Sequence, residues 1–289
     1  MKRFFILASA AIVALASCAK TEVRYDEQPQ EIAFKNITGV MTKGTLSTMN
    51  DVTLGVSAWY KANGSTEPVS YFTNAEFDGA GASDWKATPP QYYPLSGTLD
   101  FAGYAPHLET GAPSMAYDKM VWTVADNSTN QFDILYSNLL KNNSKSANAV
   151  SMPLHHALSK ITVKVTETTD VIISKIELMD TYQSGTLTVT YGDAAAAAWT
   201  GQDTKTTFDV TGKSVYVVPG PQTKLRLTYK FTNSTPVMEH VHELAADTTW
   251  DPGNHYVYSV KITPTEIKIT PVVDAWTAEG DSKPEVNVQ

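Results

Sequence analysis

The amino-acid sequence predicts an all-β protein built as two antiparallel β-sandwiches in tandem. Three observations carry that expectation. Apolar and polar side chains alternate with a period of two over several stretches, which marks strands with one buried face. Aromatic residues are plentiful (14 Tyr, 9 Phe, 6 Trp) and threonine is abundant throughout, a mixture that favours strands over helices. No helical stripe of comparable length competes with them, and 289 residues suit two sandwiches better than one.

The chain opens with a basic pair, Lys2 and Arg3, followed by the uncharged run Phe4 to Ala16. That run is far short of the roughly 20 apolar residues a spanning helix needs. It reads as a secretory leader over residues 1–17. Leu15-Ala16-Ser17-Cys18 resembles the bacterial lipobox, in which the leader is cut before the cysteine and the thiol carries lipid. Cys18 is the sole cysteine, so it has no disulfide partner, and lipidation is its expected role. The expected membrane attachment is therefore through lipid, because no second apolar segment is long enough to cross a bilayer. Removing Lys2 and Arg3 with the leader takes the formal charge from −8 to −10. An acidic chain with no basic run is a poor partner for nucleic acid, whose binding rests on neutralising phosphates.

Residues 18–30 read as a polar, charged tether. A first half is expected over 31–145. Glu31 to Phe34 is a short strand candidate, followed by a loop through Thr45. Val52, Leu54, Val56, Ala58 and Tyr60 share one face of a half-buried strand, with Thr53, Gly55 and Ser57 between them. Gly79 to Pro90 is rich in Gly, Ala and Pro and reads as a loop. Leu99, Phe101 and Gly103 alternate with Asp100, Ala102 and Tyr104, and Val121–Val124 and Phe132–Tyr136 are further strands. Lys141 to Ala149 has no large apolar residue, which places the boundary of the second half, 146–289, inside it.

In that second half, Ile161, Val163 and Val165 alternate with Lys160, Thr162, Lys164 and Thr166. Leu225, Leu227, Tyr229 and Phe231 alternate with Lys224, Arg226, Thr228 and Lys230. Tyr256, Tyr258, Val260 and Ile262 repeat the pattern. Strands with one apolar and one charged face belong to antiparallel sheets wetted on one side. Val215 to Val218 is apolar on both faces and is expected in the middle of a sheet. Asp193 with Ala194 to Ala198 is too short for a stable helix and reads as a helical turn at a hairpin tip.

Catalytic signatures are absent: there is no Gly-rich phosphate loop, HExxH, nucleophile elbow or CxxC. No enzyme activity and no cofactor are expected. His240 and His242 would share a strand face and are the best metal candidate, but no third ligand can be assigned, so no metal is expected. His155 and His156 would point to opposite faces, one packed and one wet. Carboxylates such as Asp247 and Asp251 carry no weight in a chain with 30 acidic residues.

Eight segments in order resemble the fimbrillin family, the subunits of type V pili on the outer membrane of anaerobic Gram-negative bacteria. They are the lipobox at Leu15–Cys18, Val52–Tyr60, Tyr92-Tyr93-Pro94 with Leu99–Pro106, Gln131–Ser137, Met152–Val163, Val215–Pro219, Trp250 with Gly253–Tyr258, and Ile267–Trp276. The resemblance implies transthyretin-like sandwiches and a lipoprotein processed at the outer membrane and polymerised into an adhesive fibre. Its partners would be other pilus subunits, the outer membrane through lipid, and a host or bacterial surface receptor. It also implies trypsin-like cleavage in the loop behind the first strand, here after Lys43 and before Gly44, with Lys35 at the loop's edge as a second candidate, although the family usually has Arg there. The removed strand would be replaced by a neighbour's C-terminal segment, for which Ile267, Ile269, Val286 and Val288 are the candidates. The alternative from another class is a monomeric outer-membrane lipoprotein that binds glycans through exposed aromatic rings.

Overall fold

The computed structural model describes residues 29–35, 52–79, 84–129, 131–146, 148–192, 194–244, 249–274 and 276. Cys18, Lys43, Gly44, Val286 and Val288 lie outside them. The described residues form strands and connections with no helix. In chain order the strands are β1 (Ala33–Lys35), β2 (Thr53–Lys61), β3 (Val69–Asp78), β4 (Trp85–Ala87), β5 (Thr98–Ala105), β6 (Ser114–Met115), β7 (Lys119–Val124) and β8 (Leu135–Ser137). Next come β9 (Leu140–Asn143), β10 (Val150–Ser151), β11 (Leu154–His156), β12 (Ser159–Thr168), β13 (Val171–Tyr182), β14 (Gly185–Thr190), β15 (Ala196–Thr200) and β16 (Lys205–Asp209). The last are β17 (Ser214–Val217), β18 (Gly220–Pro221), β19 (Lys224–Phe231), β20 (Met238–Glu243), β21 (Thr249–Trp250), β22 (His255–Thr263) and β23 (Glu266–Asp274).

The first sheet runs β10-β1-β4-β3-β2-β5-β8-β11, with β9 also on β5. Its first and last strands are separated only by Met152 and Pro153, so the sheet curls until its two edges meet. The core inside draws on nearly every strand, including Ile32, Phe34, Leu54, Phe77, Phe101 and Leu154. In the second half, sheets β17-β12-β22-β23 and β16-β13-β19-β20 share a second core. Ile161, Val217 and Tyr258 enter it from one sheet and Leu178, Phe208 and Leu227 from the other. A fourth sheet, β15-β14-β7-β6, joins strands from both halves. It covers a middle core that includes Tyr104, Trp122, Leu187 and Tyr216. The short pair β18-β21 completes the pairing.

Several local expectations change. Residues 150–156, assigned by polarity to the second half, pair into the first sheet: β10 joins β1 and β11 joins β8. The polar stretch expected to hold the boundary begins with most of β9, itself paired with β5 of the first sheet. Two ladders, β1 with β10 and β12 with β22, are parallel. Val215–Val217 lies at a sheet edge rather than its middle. It is apolar on both faces because Val215 and Val217 enter the second core while Tyr216 enters the middle one. β2 is buried on both faces for a similar reason, since the Tyr104 ring lies over Gly55. A Cβ at Gly55 would come within 2.2 Å of that ring, so only glycine fits. The 79–90 segment contains a strand, β4, and Ala196–Ala198 are not a helical turn but part of a hairpin strand paired with Thr188–Thr190.

Candidate functional site

The segment that holds the first core closed is β1. Three residues form it, and its side chains follow the strand alternation: Phe34 points inward while Ala33 and Lys35 flank it. Ile32 and Phe34 are fully buried. Phe34 meets Phe77 edge-on at 4.9 Å and Phe101 at 5.2 Å, the geometry aromatic pairs prefer. Burying two such side chains is worth about 3–6 kcal/mol. The backbone is held from both sides, Phe34 opposite Trp85 in β4 and opposite Val150 in β10. Ile32 N–H donates to Gln91 O at 2.8 Å and Tyr93 N–H to Gln30 O at 2.9 Å. An exposed Lys86–Glu31 pair at 2.9 Å marks the rim. Tyr93 at the seat has a buried hydroxyl without a protein partner, and burial pushes it up to about 12. Removing β1 would open an apolar slot between two strand edges.

A second cluster lies where the halves meet. His156 Nδ1 is 2.5 Å from Asp133 Oδ2, and the Trp276 indole stacks on the imidazole at 3.8 Å and 13°. Tyr216 lies parallel to that indole at 5.9 Å. Burial pushes the Asp133 carboxyl up, against the opposing pull of His156. The adjoining cleft of about 350 Å³ is lined by Tyr136, Leu154, His155, His156, Pro252, Gly253 and Trp276. None of these described lining residues is a serine, threonine or cysteine. The two histidines divide as alternation requires, His156 buried and His155 exposed.

A profile of the fimbrillin-like family matches residues 24–276. The chain belongs to the fimbrillin-like family. That is a family of pilus and surface-adhesion proteins. No curated protein matches this fimbrillin-like chain. Among solved structures it is similar to a candidate cell-adhesion protein of Bacteroides uniformis, with 16% identity, TM-score 0.60, and 86% of this chain and 99% of that one covered. It is also similar to a fimbrial protein of Bacteroides vulgatus at 14% identity and TM-score 0.58, over 86% and 100% of the two chains. A candidate cell-adhesion protein of Bacteroides ovatus follows at 16% and 0.53, over 88% and 100%. At these identities the likeness is one of fold.

Of the fimbrillin-like chain's expected site residues, Ile267 and Ile269 are described. They sit in β23, opposite Ile262 and Val260 of its own sheet, and pack partly buried against the second core. His240 and His242 share one face of β20, with ring centroids 6.3 Å apart. Among the described residues no group of three or more His, Cys, Asp or Glu is placed to hold a metal ion. The polar networks were not foreseen. Asp100, an acid within the apolar strand Leu99–Ala105, is fully buried. It accepts from Tyr117 at 2.7 Å and from Asn142 N–H at 2.6 Å, and pairs with Lys61 at 3.0 Å. A lone acid among apolar residues was the signal available for it.

Proposed function

We propose that this chain is a structural pilus subunit, exported as a lipoprotein through Cys18 and assembled with other pilus subunits by strand exchange. The architecture is then two tandem transthyretin-like sandwiches bridged by the middle core. Cleavage after Lys43 removes β1, and a donated strand from a neighbour takes its place. The observation that carries this reading is the seat of β1: a three-residue strand with Ile32 and Phe34 fully buried, gripped by an edge on each side. Lys43 is the only basic residue in the following stretch, Asn36 to Thr48. An emptied seat would leave an apolar slot and unpaired edges, both costly to expose. An incoming strand satisfies them through main-chain bonds and alternate side chains. Candidates for the donor are Val286 and Val288, while Ile267 and Ile269 are already engaged in their own sheet.

The test is to sequence the mature N-terminus of the surface form beside its oligomer ladders. The expected result is a start at Gly44 in assembled material and an intact lipidated Cys18 in precursor. Assembled material still beginning at Cys18 would refute the reading. The glycan-binding alternative rests on Tyr71 and Tyr92, exposed neighbours in which the Tyr71 hydroxyl donates to Tyr92 O at 3.0 Å. It requires a monomer with neither cleavage nor ladders.

A further inference from the structure

Among the described residues, four exposed large apolar side chains lie on or next to two strands, and one of them, Val273, lines a groove between those strands. Val237 and Val241 are in or next to β20, and Val272 and Val273 are in β23. These are the terminal strands of the two sheets that share the second core. Between them runs a groove of about 470 Å³ lined by His242, Leu244, Tyr256, Tyr258, Ile269 and Val273, among others. Among the described residues nothing pairs with the outer edge of β23. Pro271 in β23 cannot donate a ladder hydrogen bond, a substitution that edge strands tolerate.

The sequence supplies a fitting occupant. Thirteen residues, 277–289, follow Trp276, and Trp276 is fixed on His156 just beyond the end of β23. Val273, three residues earlier, lies opposite Tyr256, so the chain leaves β23 beside the groove. The stretch of β23 along the groove, Ile269 to Val273, spans about 17 Å at roughly 3.3 Å per residue, and Glu285 to Gln289 is the same number of residues. In that stretch Val286 and Val288 alternate with polar neighbours. Gly280, Asp281, Ser282 and Pro284 lie between, and these residue types reverse chains.

We propose that residues 285–289 fold back along the outer edge of β23 in the free subunit, placing Val286 and Val288 in the groove between β23 and β20. The tail then caps its own chain before any partner is present. This docking does not depend on strand exchange, although a tail that completes a neighbour would first have to leave its own groove. Two measurements test it, both on chains carrying Cys18→Ala. In the first, a fluorescent peptide of residues 281–289 is titrated onto the full chain and onto a chain lacking 285–289. The truncated chain should bind it, and the full chain about tenfold or more weakly, because a tethered tail competes at a high effective concentration. Val273→Lys, at an exposed position in the groove, should remove binding to the truncated chain. In the second, Val286→Cys in the full chain should react with a maleimide about tenfold more slowly than the same cysteine beside Val273→Lys. Equal peptide binding by both chains, no binding by the truncated chain, dimerisation of the truncated chain through the groove, or equal labelling rates would each overturn the proposal. Ladder formation reads strand exchange separately.

Discussion

Glu177 is a mostly buried carboxylate on β13, between Ile176 and Leu178, whose side chains enter the second core. Burial opposes its charge, but Lys175 at 2.6 Å and Arg226 at 2.7–2.8 Å outweigh that cost and hold its pKa below the usual glutamate range. A depressed folded pKa means the stabilisation is complete above the unfolded value, about 4.3, and is lost as pH falls through the folded value. Glu177→Gln should therefore cost about 1–3 kcal/mol at pH 7 and progressively less below about pH 4, read from urea midpoints across pH. A deficit that grows on acidification would contradict this account. Asp100 is the sharper case, because its carboxylate is sealed from solvent with Lys61, Tyr117 and Asn142 around it. Asp100→Ala strands the Lys61 charge and should cost about 3–5 kcal/mol in denaturant unfolding, far more than a surface acid removed elsewhere. The Glu177 network was not legible in the sequence, since Glu177 and Arg226 are 49 residues apart and only the β13–β19 register brings them together.

At the scale of elements, alternation identified most strands but not which of their faces meets a core. β2 and β17 read differently because each is covered twice, β2 by Tyr104 over Gly55 and β17 by two cores. Period-two reasoning assumes one wet face, and a strand lodged between two cores breaks that assumption. β4 was hidden for the opposite reason: three residues set in a Gly- and Pro-rich stretch carry too little pattern. β1 is as short, yet Ile32 and Phe34 announced it, and its seat makes a prediction. Phe34→Ala removes a ring that touches Phe77 and Phe101 and should cost about 3–5 kcal/mol. If β1 is discarded on assembly, the same substitution should leave the stability of assembled ladders unchanged while lowering that of the precursor. Equal loss in both forms would mean that Phe34 remains in its seat after assembly.

The described residues are organised by three cores rather than two, and the middle one decides how separable the halves are. The polar stretch 141–149 suggested a boundary because it lacks large apolar residues, but composition cannot reveal that β10 and β11 return to close the first sheet. Nor can it reveal that β7 finds its partner in β14, with Trp122 opposite Leu187 and Met120 opposite Val189. Those four side chains are fully or almost fully buried, and each is worth about 1.5–3 kcal/mol when removed from water. A chain divided between Lys145 and Ser146 would leave the first piece without β10 and β11 and strip β14 of β7, one of its two neighbours. Fragments 29–145 and 146–289 should each lack a cooperative thermal transition when expressed alone. Mixed, they should recover one, because the parted ladders and the middle core can re-form only when both are present. The measurement is calorimetry of each fragment and of the equimolar mixture. If either fragment alone melts cooperatively near the temperature of the intact chain, the middle core is an interface between independent units and not a shared part of the fold.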